Sequence, residues 1–153
     1  MGGSAVAEGR VAVERSIEIA ATPAAVWAKV GRFGDMSWHP AIHATDDPEG
    51  ERIGAVRVLT VGAAGGPTVR EELVEYSDAE MRYAYRILEV DPAVLPVVNY
   101  RSELAVEADG DGTRLRWGSR FDPPEGVAEA AAAEAMAGVY TSGLDAVKRA
   151  LES

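Results

Sequence analysis

The stretch 125–151 constrains the fold of this chain more than any other. It contains no proline and is rich in alanine, including Ala130, Ala131, Ala132 and Ala133, the strongest helix former. Met136, Tyr140, Gly143, Leu144, Val147 and Leu151 recur at steps of three and four residues, which places them on one face of a helix. Glu129, Glu134, Asp145, Lys148 and Arg149 fall mostly on the other faces. Asp122, Pro123 and Pro124 stop the preceding element and set up a helix start. A helix of roughly 25 residues is about 38 Å long at 1.5 Å per residue. Such a helix needs an extended apolar surface to lie on, and the remaining sequence must supply it.

It does so as alternating strands. Val11, Val13, Ile17 and Ile19 alternate with polar or small residues, Arg15 interrupting the set. Thr22 and Pro23 suit the cap and first turn of a short helix over 24–30. Gly31 and Gly34 end it, and a second short helical turn is expected over 33–37. A possible short strand at 42–45 is followed by strands at 55–61 and 68–76, which look like a hairpin about a glycine-rich turn. Tyr83, Tyr85 and Ile87 form one face of the next strand. Val98, Tyr100, Ser102, Leu104 and Val106 form one face of the following one. The segment Asp109-Gly110-Asp111-Gly112 is a strong hairpin turn into a last strand with Leu115, Trp117, Ser119 and Phe121 on one side. The expected fold is therefore α+β, a curved antiparallel sheet of about seven strands wrapped around a long C-terminal helix, with two short helices after the first strand. One domain is expected over 10–153, preceded by a flexible N-terminal lead at 1–9.

Composition narrows the function. The chain has 153 residues, no cysteine and a formal net charge of -10. Thiolate chemistry and cysteine-ligated metals are excluded. An acidic chain without a basic stripe does not suit nucleic acid. No apolar run is long enough to span a bilayer, and the first ten residues do not read as a secretory signal. A cytoplasmic location without membrane insertion is the default expectation. A homodimer is compatible with the sequence, which does not fix the oligomeric state.

The residues also carry a family resemblance. Ile17-x-Ile19 is followed by Ala21-Thr22-Pro23, Val26-Trp27, Phe33-Gly34 and Trp38-His39-Pro40. Further on come Gly54-x-x-Arg57, Glu71-x-Leu73 with Tyr76, Tyr83-x-Tyr85-Arg86-Ile87, Trp117 with Phe121, and Tyr140-x-x-Gly143-Leu144 with Val147-Lys148. In this order and spacing the chain resembles the SRPBCC or polyketide cyclase/dehydrase group of the START-like, Bet v 1-like superfamily, from Val11 to Leu151. The resemblance implies a helix-grip fold with a hydrophobic tunnel between sheet and helix. It also implies a small hydrophobic or aromatic molecule as partner, and no cofactor.

The candidate site residues follow from face and chemistry. His39, one of two histidines, reads either as a proton-transfer group or as a loop pin held by backbone hydrogen bonds. His43 lies on a short, exposed strand. Arg57 and Glu71 share alternation with apolar neighbours; facing inward, they would pair and anchor a ligand's polar group, Glu71 also serving as a proton acceptor. The alternatives are a structural ion pair without a ligand role, or a register that puts both outside. Trp38, Tyr83, Tyr85, Tyr100, Trp117, Phe121, Met136 and Tyr140 are the expected lining of a ligand space. Each is also compatible with ordinary core. Gly138 and Gly143 each cost about 1 kcal/mol relative to alanine inside a helix, for close packing or for ligand room. Three functions stay open: a binder of a small apolar molecule, a cyclase or dehydratase on a polyketide-like substrate, and an interaction module without turnover. A space under the helix filled by side chains would favour the last.

Overall fold

The computed structural model describes residues 9–153. Strands β1 (Val11–Ile19), β2 (Ile42–Asp46), β3 (Val56–Val61), β4 (Thr68–Ser77), β5 (Arg82–Glu89), β6 (Val98–Asp109) and β7 (Gly112–Asp122) form one seven-stranded sheet in the order β1-β7-β6-β5-β4-β3-β2. All pairs are antiparallel. Helix α1 (Pro23–Val30) follows β1, and α2 (Glu129–Glu152) closes the chain.

The alternation expected for the strands places the core. Leu104 and Val106 of β6 pair directly with Trp117 and Leu115 of β7, all buried on the inner face. Their outward neighbours, Glu103, Glu107, Arg114 and Arg116, form ion pairs on the other face. Val98 is a correction to the expected inner set: it is half exposed, because a register shift separates it from Arg101 and Asn99 takes a φ of 55°. The bulge restores Tyr100 to the inside.

Helix α2 packs chiefly over β1, with lesser contact to β7 and α1, burying Ala132, Met136, Tyr140, Gly143, Leu144 and Val147. It starts at Glu129 rather than 125, since Gly126 at φ 84° breaks the helical path after the prolines. Its last turn is tied to β1: Lys148 Nζ donates to the Glu18 carbonyl at 2.7 Å, and the Ala20 N–H donates to Glu152 at 2.7 Å.

Helix α1 forms as its cap predicts, with the Ala25 N–H donating to Thr22 Oγ1 at 3.2 Å and Pro23 in the first turn. The expected second short helix is absent. Residues 31–41 run instead as linked turns, closed by Asp35 N–H to Arg32 O and His39 N–H to Met36 O. Pro40 cannot continue a ladder of N–H donors, so the segment stays irregular and reaches inward through Phe33, Met36 and Trp38, all buried. The N-terminal lead lies outside the described residues except for Gly9. Gly9 belongs to the fold: a Cβ there would meet Phe121 backbone at 2.3 Å, and its carbonyl accepts from Arg120 Nε at 3.2 Å.

Candidate functional site

Arg57 and Glu71 stand opposite each other on β3 and β4, and both point into the core with 0 % and 4 % of their surface exposed. Arg57 Nε donates to Glu71 Oε1 at 2.8 Å. Nη2 lies 2.7 Å from the same oxygen, within ion-pair reach but not aligned as a hydrogen bond. Nη1 donates to the Phe33 carbonyl at 2.8 Å. Three rings enclose the guanidinium: Phe33 at 4.2 Å, Tyr85 at 4.8 Å and Tyr83 at 5.9 Å from Cζ. Arginine keeps its charge in such a site; burial opposes that charge, but Glu71 and the rings hold its pKa up. Glu71 is the member whose ionisation is costly. Burial pushes its carboxyl above the ordinary range, and Arg57 pulls it back only in part.

A row of hydroxyls lies beside the pair. The Tyr100 and Tyr140 hydroxyl oxygens are 2.6 Å apart, and Tyr140 donates to Ser119 Oγ at 2.5 Å. Since the Tyr140 proton goes to Ser119, Tyr100 is the donor in the first bond. Trp117 Nε1 donates to Tyr85 and to Ser102 Oγ, each at 3.1 Å, and Ser102 donates to the Gly118 carbonyl at 2.8 Å. Tyr85 thus touches both the ion pair and the hydroxyl row. Burial raises the phenol of Tyr140 to about 12 and pushes Tyr85 and Tyr100 upward as well. At neutral pH all three are protonated phenols, not phenolate bases.

His39 is buried and joins the irregular segment to α2. The Ala41 N–H donates to Nδ1 at 3.1 Å, so Nδ1 carries no proton; Nε2–H donates to the Val139 carbonyl at 2.8 Å. Burial lowers its pKa, against the opposing pull of the Val139 carbonyl. Both nitrogens are engaged by backbone, the arrangement of a loop pin. His43 is on the exposed side of β2.

Trp38 packs on Trp117 with ring centroids 5.4 Å apart. Its indole N–H is buried and has no acceptor among the described residues. Gly143 explains the close approach. A Cβ there would come within 2.6 Å of His39 Cδ2, 2.9 Å of Trp117 and 3.1 Å of Trp38. Gly138, by contrast, has no atom within 4 Å of such a Cβ.

The residues expected to line a ligand space are therefore together and buried: Trp38, Tyr83, Tyr85, Tyr100, Trp117, Phe121, Met136 and Tyr140. Trp38, Trp117 and Tyr140 touch in sequence, and Phe33 bridges to Tyr83 and Tyr85. The rings occupy the region between sheet and helix. A hollow of about 1040 Å³ is lined by Glu14, Glu72, Arg86, Arg101, Glu103 and Arg116 of the outer face together with Tyr100, Ser102 and Ser119. Its charges are mutually paired, as on an ordinary solvated face.

The sequence did not single out Phe33, Ser102 or Ser119 as site residues. Phe33 sits in a turn, where no periodicity marks a buried face. The two serines share inner-face alternation with Tyr100 and Trp117, and that was their available signal. Among the described residues no group of three or more metal-ligating side chains occurs, and no helix is long and apolar enough to cross a membrane.

A single long helix gripped by a curved antiparallel sheet, with a short helix after the first strand, defines the Bet v 1-like helix-grip class. Ara h 8.0201 shares this fold at a TM-score of 0.73, with 18% identity over 92% of this chain and 97% of that one. Residues 10–152 match the family model described as polyketide cyclase / dehydrase and lipid transport, and the chain belongs to that family. Protein XoxI from Bacillus cereus is 29% identical, with a TM-score of 0.83 over 94% of this chain and 96% of that one. A protein from Thermobifida fusca is 30% identical, with a TM-score of 0.75 over 92% of each chain. No curated protein matches the chain. Family and fold are consistent with binding a hydrophobic ligand.

Proposed function

We propose that this domain binds a small, mostly apolar molecule between the sheet and α2, with the molecule's polar end at Arg57, Glu71 and Tyr85. The observation that carries this reading is the buried Arg57–Glu71 pair inside its aromatic cage. A buried ion pair is seldom more stabilising than well-packed apolar residues of similar volume, so stability alone does not account for it. A polar anchor in an apolar space does. The family description, which includes lipid transport, agrees with such a role.

Native mass spectrometry of the protein as purified from cells tests the proposal. The expected result is a non-covalent adduct of a few hundred daltons, released on denaturation and reduced in the double variant Arg57→Met/Glu71→Leu. An adduct-free protein that takes up no apolar probe would refute the proposal.

A catalytic reading rests on Glu71, a buried carboxyl opposite Arg57 that burial pushes above the ordinary carboxylate range, as a proton acceptor. On a polycarbonyl substrate, Glu71 would accept a proton while the Tyr85 hydroxyl donates to a carbonyl oxygen. That is the chemistry of an aldol-type cyclisation followed by loss of water. Positioning supplies most of the rate in such a reaction. Glu71→Gln separates the two readings: a cyclase loses turnover and still binds, whereas a carrier or sensor shows no turnover in either form.

A further inference from the structure

Phe33 presents to Arg57 the two chemical features that a ligand of this site would present. Its carbonyl oxygen accepts from Nη1 at 2.8 Å. Its ring lies 4.2 Å from the guanidinium carbon and meets Tyr83 edge-on at 6.0 Å. Yet Phe33 belongs to the irregular segment 31–41, which has no strand ladder to hold it. The segment is held at a few points. His39 Nε2–H donates to Val139 on α2, Trp38 rests on Trp117, the Met36 N–H donates to Thr45 Oγ1 at 3.3 Å, and at the two ends the Gly31 carbonyl accepts from the Tyr76 hydroxyl at 2.7 Å and the Ala41 carbonyl from the Gly62 N–H at 2.8 Å. The seat for His39 and Trp38 is Gly143, where helix propensity is given up so that both rings can approach. One donor in the seated segment, Trp38 Nε1, is buried without an acceptor among the described residues.

From these contacts we infer that residues 31–41 are a built-in occupant of the ligand space, and that the ligand binds by displacing Phe33 from Arg57. The inference rests on the binding function proposed above. It names the ligand class: a flat aromatic or conjugated molecule with an uncharged oxygen acceptor. Phe33 offers a neutral carbonyl, and Arg57 is already balanced by Glu71. A carboxylate in that place would leave a net negative charge in a desolvated site, which is strongly unfavourable. The segment competes with the ligand, so the apparent affinity is lowered by the fraction of molecules in which it is seated.

Two variants shift that fraction by different means. Gly143→Ala places a methyl group against His39, Trp117 and Trp38 and unseats the segment from the helix side. Phe33→Ala removes the occupant's ring, leaving its backbone carbonyl, without touching the helix. Gly138→Ala is the control, since its methyl group meets nothing. Hydrogen exchange of residues 31–42 and titration with 2-acetylnaphthalene, 2-naphthoate and Nile red are measured for each. The expected result is at least tenfold faster exchange of the segment in Gly143→Ala, with β4 and β5 unchanged. Affinity for 2-acetylnaphthalene should rise at least fivefold in Gly143→Ala and Phe33→Ala and stay unchanged in Gly138→Ala. In every variant 2-acetylnaphthalene should bind more tightly than 2-naphthoate. If Nile red binds between sheet and helix but neither variant gains affinity, the inference is wrong and the binding function stands. Tighter binding of 2-naphthoate overturns the ligand class. If no variant binds any of the three probes, both the inference and the binding function fall. Should Gly143→Ala fail to fold, Phe33→Ala decides alone.

Discussion

Arg57 and Glu71 face each other across β3 and β4 in direct register, and Arg57 Nε donates to Glu71 Oε1 at 2.8 Å inside the core. Two adjacent strands thus project opposite charges from the same face into a space otherwise lined by rings. Removing one partner leaves the other charge buried. Arg57→Ala or Glu71→Ala should each cost about 3–5 kcal/mol, whereas Arg57→Met/Glu71→Leu should lie near wild-type stability. Urea denaturation of the four proteins checks this; additive losses in the double variant would contradict it.

His39 should make stability depend on pH in a defined direction. Burial depresses its folded pKa below the ordinary value of 6.5, so the unfolded chain takes up the proton first as pH falls. The stabilisation is complete above about pH 6.5 and is lost as pH drops through that value toward the folded pKa. The slope is at most about 1.4 kcal/mol per pH unit for one proton. Thermal melts of wild type and His39→Gln between pH 5 and 8 isolate it, because the carboxylates contribute alike to both. Parallel melting curves across that range would rule out the pin described here.

The two helix glycines should respond oppositely to alanine. Gly138→Ala meets open space and should gain up to about 1 kcal/mol from helix propensity. Gly143→Ala should lose stability by about 1–3 kcal/mol, since the methyl group overpacks His39, Trp117 and Trp38. Denaturant midpoints distinguish them, and equal shifts would remove the case for Gly143 as a seat.

The hydroxyl row predicts a cost for Tyr140→Phe. That change leaves the ring packing in place and removes the donor to Ser119 and the acceptor for Tyr100. Buried Tyr100 and half-buried Ser119 each lose a partner, so the expected loss is about 1–3 kcal/mol. A neutral result in equilibrium unfolding would mean that water replaces the hydroxyl.

Much of this arrangement was legible in the sequence, for physical reasons. Period-two alternation fixed the inner faces of β5 and β7, and the three-and-four spacing of Met136, Tyr140, Leu144 and Val147 fixed the buried face of α2. The facing of Arg57 and Glu71 could not be read with certainty, because Arg70, Glu72 and Val74 offered a competing face on β4. The cross-strand register resolves it, a non-local property of the sheet. Val98 was misread because a single left-handed residue, Asn99, shifts the register of β6. Segment 31–41 was the least legible part. Its Phe33, Met36 and Trp38 are buried by tertiary contact alone, without a local period to announce them.

Calorimetric titration of 2-acetylnaphthalene into wild type and Arg57→Met/Glu71→Leu tests the central claim, that the buried pair is a ligand anchor, most directly. With both proteins equally stable, the account predicts saturable one-to-one binding to wild type and affinity at least tenfold weaker in the double variant. Equal affinity for the two proteins would contradict it.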